Sequence, residues 1–258
     1  MSEFVSYRFL GIRAHALVKA DLLNIIDSAI EADSVNCIIG NHNLHSLYLV
    51  HNNPAMREFY NMNSYTHIDG MGIILLARIM GIPLLRRHRN GYLDWFEDFA
   101  KLASEKSWRI YFLGGTPEVA DKMPQVFRAR FPSLDIRAHH GYDAFEPHTT
   151  VFEEIRDFAP HVVMVGMGMP LQERWIMESV EKLKVNVLLS CGAIMDYYVG
   201  AQKPAPRWMG QIGFEWLYRL VTRPQSLCFR YLVEPLMLMP MLLREWRERK
   251  TYADERHG

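Results

Sequence analysis

The chain of 258 residues predicts an α/β fold: a mainly parallel sheet with helices on both faces, followed by a helical appendage. Three observations predict it. Short apolar runs alternate with amphipathic helical stretches from residue 16 to residue 190. Residues 162–165 (VVMV) form one continuous apolar run, the pattern of a parallel strand buried on both faces. After Gly200 the alternation stops, and the chain becomes rich in Leu, Met, aromatics and Arg.

The elements follow in order. Residues 16–32 read as a helix with Leu17, Leu22, Ile25, Ile26, Ala29 and Ile30 on one face, and 35–39 as a short buried strand. Helical turns at 44–50 and 56–62 are divided by the breaker pair Asn53-Pro54. A minimal strand, 66–68, ends at Asp69-Gly70, and a helix at 73–80 is closed by Gly81. A helix at 93–106 precedes a strand at 109–113. Gly114-Gly115 and Pro117 then open a helix at 118–130. Strand 135–138, helix 151–158, strand 162–165, helix 172–184 and strand 185–190 complete the alternation. Residues 1–200 therefore read as one Rossmann-like domain, and 201–258 as a basic amphipathic appendage.

Composition narrows the function. The formal net charge is zero, which argues against a nucleic-acid partner held by bulk electrostatics. The charge is uneven: from Lys203 onward ten Lys/Arg face six acids, leaving 19 basic and 23 acidic residues before it. A basic tail on an acidic body points to an anionic surface. The segment SLCFRYLVEPLMLMPMLLREWRER fits a helix lying on a membrane, or one packed on the core or in an oligomer interface. Pro235, Pro240 and Glu234 argue against its spanning a bilayer. Cys37, Cys191 and Cys228 are odd in number and far apart, as in a reduced cytosolic protein, and no Cys/His spacing suggests zinc. The N-terminus shows no secretory signal pattern.

In parallel sheets ligands bind beyond the carboxyl ends of the strands. Gly40 to Asn43, Asp69-Gly70, Gly114 to Thr116, Gly166 to Gln172 and Cys191-Gly192 all follow strands, so they are expected on one rim. In the stretch VVMVGMGMPLQERWI, either Gly166 and Gly168 let the backbone approach a ligand and the helix start after Pro170 suits a phosphate, or the glycines make an ordinary strand-to-helix turn. Gln172 and Glu173 lie on that first turn. Asp69 is a candidate general base, and equally a turn or cap residue. The run Arg86-Arg87-His88-Arg89 is either a solvated loop or a set of forked donors for a diphosphate. No Asp-x-Asp pair is present to hold a divalent metal on a diphosphate, so no metal or other cofactor is expected. No Gly-x-Gly-x-x-Gly, Walker A or Gly-x-Ser-x-Gly motif occurs.

Taken together, an ordered set of segments resembles the bacterial WecG/TagA/CpsF glycosyltransferase family. These are Asn43 with Asn53-Pro54, DGMG from Asp69, FLGG from Phe112, HGY from His140, GMGMPLQERWI, GFEWLYRL from Gly213, and Arg223-Pro224. The resemblance runs over residues 35–230. It implies an inverting, metal-independent hexosyltransferase moving a sugar from a UDP donor to a polyprenyl-diphosphate-linked acceptor. The setting implied is the inner face of the cytoplasmic membrane, in cell-surface polysaccharide or exopolysaccharide synthesis.

By the same resemblance, Asp69 is the base and Arg87 the arginine at the diphosphate, with Arg89 the alternative. Asn41 and Asn43 line the donor-sugar pocket, while Gly114, Gly115, Gly168 and Gln172 hold diphosphate and sugar. Arg219, Arg223 and Arg230 belong to the appendage that closes over the site. Asn41 stands where the family has Thr, and KPAP (203–206) replaces Lys-Arg-Ala-Pro. The donor (glucose, N-acetylmannosamine or its uronic acid) and the oligomeric state stay open. The alternatives are an inactive membrane-bound nucleotide-sugar scaffold and, disfavoured by the missing fingerprint, a Rossmann-like oxidoreductase.

Overall fold

The computed structural model describes residues 4–146 and 149–254; Glu255 and Arg256, counted in the basic tail, lie outside it. A two-stranded hairpin opens the chain: β1 (Ser6–Phe9) pairs antiparallel with β2 (Ile12–His15). Its turn places Leu10 and Gly11 at φ 51° and 78°, the paired left-handed conformations that match hairpin twist. The periodicity gave no sign of it.

The body alternates as expected. Helix α1 (Lys19–Glu31) leads to β3 (Cys37–His42), then α2 (Leu44–Asn52), α3 (Pro54–Met62), β4 (Tyr65–Ile68) and α4 (Met71–Ile79). Next come α5 (Tyr92–Glu105), β5 (Arg109–Gly114), α6 (Pro117–Arg130), β6 (Asp135–His139), α7 (Val151–Phe158), β7 (Val162–Gly166), α8 (Leu171–Ser179), β8 (Val187–Ser190) and α9 (Ile194–Tyr198). The six strands β3 to β8 form one all-parallel sheet in the order β4-β3-β8-β7-β5-β6.

Alternate side chains of each central strand feed two cores, one per face, as the two-residue period of a strand demands. Tyr111, Leu113, Val163, Val165 and Leu188 pack with Ile73, Ile74 and Trp175 on one face. Ile110, Phe112, Val162, Met164, Val187 and Leu189 pack with Trp95, Phe96 and Phe99 of α5 on the other.

Two boundaries differ from expectation in ways that matter. Strand β3 continues through Gly40 and Asn41 to His42, because those residues pair with Thr66, His67 and Ile68 of β4. Asn41 is thus a strand residue and not part of a loop. Helix α8 stops at Ser179 rather than Lys184; the N–H groups of Lys182 and Leu183 turn back onto the Ser179 carbonyl.

The appendage consists of α10 (Arg207–Ile212), α11 (Glu215–Thr222), α12 (Pro224–Cys228), a π-turn (Phe229–Val233) and α13 (Glu234–Asp254). The last three join into one helix, and Pro224–Arg247 is long and apolar enough to cross a membrane by length and composition. Pro235 and Pro240, read from the sequence as arguing against a span, do not interrupt the helix, while Arg230 and Glu234 still break its apolar run. The helix is nevertheless tied to the body. Glu234 is buried against His45 of α2, Leu238 enters the core, and Glu245 accepts a hydrogen bond from the Leu10 N–H at 2.8 Å.

Candidate active site

The carboxyl ends of four strands converge on one cavity. From β3 come Asn41 and Asn43; from β4, Asp69; from the turn after β7, Gly168, Met169 and Gln172; from the turn after β8, Cys191 to Ile194. The appendage closes the other side with Arg207, Gly210, Glu215, Arg219 and Arg230. This lobe is about 200 Å³. A second lobe of about 400 Å³ shares Asn43, Asp69, Arg89, Glu215, Arg219 and Arg230 with the first. Its remaining wall is mostly apolar, with Leu44, Met71, Leu75, Trp216, Tyr231 and Pro235 among its residues. Asp69 therefore stands where a polar and an apolar chamber meet.

Local chemistry explains each placement. Asn43 caps α2, accepting hydrogen bonds from the N–H groups of His45 and Ser46 at 3.0 and 3.1 Å. Asn41 Oδ1 accepts from Ser190 Oγ at 3.2 Å, which ties the ends of β3 and β8 together. Asp69 immediately follows β4, and its N–H donates to the His42 carbonyl at 2.9 Å. Burial raises its pKa above the ordinary carboxylate range and nearby Glu215 adds to this, while Arg89, Arg219 and Arg230 pull it down. Burial thus makes this carboxylate a stronger proton acceptor than an exposed one, the property a general base uses.

The guanidinium groups are organised by acids. Arg89 donates to Asp94 at 2.6 Å and to Glu215 at 3.4 Å, and Arg219 donates to the other Glu215 oxygen at 2.5 Å. A Cβ on Gly91 would lie 3.4 Å from Asp69 Oδ1 and 3.0 Å from Arg89 Nη2, so the two side chains flank one glycine. Arg230 Nε is buried without a hydrogen-bond partner. These donors surround a space suited to a diphosphate.

Gln172 is positioned from behind. Its amide N–H donates to Glu173 Oε1 at 2.7 Å, while its Oε1 accepts from the Gly192 N–H at 3.0 Å. Glu173 is fully buried, and burial pushes its pKa up to about 7. Although it shares the first turn with Gln172, Glu173 does not line the cavity; it braces the residue that does.

Four candidates fall elsewhere. Arg87 is exposed and donates to His88 Nε2; of the two, Arg89 is the one in the cavity wall. Gly114 and Gly115 line neither lobe. A Cβ on Gly114 would strike the Gly166 backbone, and one on Gly115 would strike Val119, so both serve close packing at the end of β5. Arg223 is also outside; it donates to Gln202 at 2.6 Å, and Gln202 in turn holds Asp196. Conversely, Glu215, Asp94, Tyr197 and Arg207 line the cavity without having been singled out. Glu215 lay inside the GFEWLYRL segment, but nothing local marked an acid as the organiser of two arginines. His139, His140 and Asp143 could together hold a metal ion, but they line neither lobe.

The model of the glycosyl transferase WecG/TagA/CpsF family matches residues 7–252. The chain belongs to that family. It is accordingly a glycosyltransferase, and the oxidoreductase alternative falls away. Its similar relatives include proteins of Staphylococcus aureus strains NCTC 8325 / PS 47, COL and MRSA252. Each is 29% identical over 197 residues, covering 72% of this chain and 76% of the relative. All three carry the name N-acetylglucosaminyldiphosphoundecaprenol N-acetyl-beta-D-mannosaminyltransferase.

Proposed function

We propose that this glycosyltransferase moves a hexosyl group from a UDP-sugar to the hydroxyl of a polyprenyl-diphosphate-linked sugar, with inversion at the anomeric carbon. The relatives' name supports N-acetylmannosamine as the sugar and a GlcNAc-diphosphate lipid as the acceptor. One observation carries the reading: of the two carboxylates shared by a polar lobe ringed with arginines and an apolar lobe beside it, Glu215 is engaged by Arg89 and Arg219, which leaves Asp69 for the substrate. The first suits a nucleotide sugar and the second the start of a lipid chain.

In the reaction Asp69 accepts the proton of the acceptor hydroxyl. The freed oxygen attacks the anomeric carbon as the bond to UDP breaks, and its electron pair moves onto the β-phosphate. Arg89, Arg219 and Arg230 stabilise that charge, exchanging carboxylate partners for phosphate oxygens. Holding both substrates at one mouth supplies much of the acceleration. The exposed apolar face of Pro224–Arg247 supports work at the membrane that holds the acceptor, and the reading puts the enzyme at the cytoplasmic surface of that membrane.

The test is UDP release with UDP-N-acetylmannosamine and a GlcNAc-diphosphate lipid. Asp69→Asn is expected to lower turnover by a factor on the order of 10²–10⁴ with UDP affinity nearly unchanged. Equal losses of both would show that Asp69 holds the loop and is no base.

A further inference from the structure

The densest basic run of the chain is only partly used by the cavity. Arg89 faces inward, whereas Arg86 and Arg87 are exposed on the short 3-10 turn Arg86–His88, which packs beside α4. Helix α4 buries Ile73, Ile74 and Ala77, yet it also exposes Leu75 (53%) and Ile79 (66%), one turn apart on its outer face. Arg78 lies between them and donates to the Leu84 carbonyl at 3.3 Å, and Leu85 is exposed next to the turn. Leu75 is at the same time a wall of the apolar lobe. The stripe therefore begins at that lobe and runs outward along α4. The appendage meets it there: α10 packs on α4, and Trp216 lines the same lobe as Leu75.

We propose that this face, Leu75, Ile79 and Leu85 with Arg78, Arg86 and Arg87, is a second membrane contact, made by the catalytic domain itself on a bilayer with anionic headgroups. An apolar stripe beside guanidinium groups suits that boundary, since aliphatic side chains enter the acyl region while arginines meet phosphates. Continuity with the apolar lobe gives it a purpose: a lipid chain leaving beside Leu75 passes straight into the bilayer. This rests on the lobe's taking a lipid-linked acceptor. With α13 lining the same lobe through Pro235, the mouth would be held to the membrane by two elements rather than hung from the appendage alone.

The experiment uses the full chain in vesicle flotation, on pure phosphatidylcholine and on vesicles containing about 30% phosphatidylglycerol. Ile79→Glu is expected to weaken partitioning to both by about tenfold. The pair Arg86→Ser with Arg87→Ser is expected to weaken it by about thirtyfold on the anionic vesicles alone. Both variants should retain wild-type turnover of a water-soluble, short-prenyl acceptor. Should Ile79→Glu fail to fold, the arginine pair decides the matter. Unchanged flotation of the variants overturns the proposal. So does a wild-type dimer, seen by light scattering, that Ile79→Glu dissociates without altering flotation. A wild type that binds vesicles but glycosylates no acceptor would instead refute the proposed activity, leaving this contact standing.

Discussion

The strut between His45 and Glu234 decides how firmly the appendage holds its arginine over the cavity. His45 Nδ1 lies 2.9 and 2.8 Å from the two Glu234 oxygens, and the Glu234 side chain is only 5% exposed. Arg230 precedes Glu234 by four residues on the same continuous helix, about 6 Å along its axis. Loosening one end must loosen the other. Glu234→Ala removes a hydrogen bond to a charged group, worth about 1.5–3 kcal/mol. His45→Ala leaves the Glu234 carboxylate buried and unpaired, which costs about 3–5 kcal/mol. At about 1.4 kcal/mol per tenfold, undocking of α13 becomes roughly 10- to 100-fold more frequent in the first variant. It becomes more frequent still in the second. The double variant should be milder than His45→Ala, because no orphaned charge remains.

Hydrogen exchange over 224–247 reads the undocking directly, and steady-state kinetics should show kcat falling with it. If His45→Ala proves no worse than Glu234→Ala, or if protection of the helix is the same in all variants, the strut does not hold the appendage.

Three further outcomes are expected. Arg89→Ala should lower kcat by about 10²-fold through loss of a leaving-group contact, whereas Arg87→Ala should leave kcat and donor KM within about twofold, as measured by UDP release. Asp69 has a raised pKa, so its contribution to stability is present below the ordinary carboxylate value and lost as pH rises through the raised one. Asp69→Asn should therefore raise the thermal midpoint at pH 7 even as it removes activity, and the gain should vanish in acid. Glu173, pushed up to about 7 by burial, follows the same sign. Glu173→Gln should stabilise the protein more at pH 8 than at pH 5, by up to about 3 kcal/mol. A pH-independent difference in calorimetry would count against burial as the cause.

Much of the fold was legible because it rests on short-range pattern. The six sheet strands and most of the helices around them follow from runs of apolar residues with periods of two or near four, bounded by Gly and Pro. The strand-end clusters were legible too, since a parallel sheet puts all its carboxyl ends on one rim. The hairpin of β1 and β2 was not. Its strands are four residues each, and Leu10-Gly11 is not a strong turn pair.

Local sequence by itself determined the alternating elements, the two-faced core and the candidacy of Asp69, Asn41, Asn43, Gly168 and Gln172, all of which line the cavity. Only the tertiary structure put Arg89 and not Arg87 in the cavity wall, packed Gly114 and Gly115 against Gly166 and Val119 outside it, and made Glu215 the hub of two arginines. It also joined Glu234 to His45, 189 positions away in the chain. The physical reason is range. Periodicity, turns and caps are set by residues within a few positions of one another, whereas the direction of a side chain into a cavity depends on partners that only the folded chain brings near.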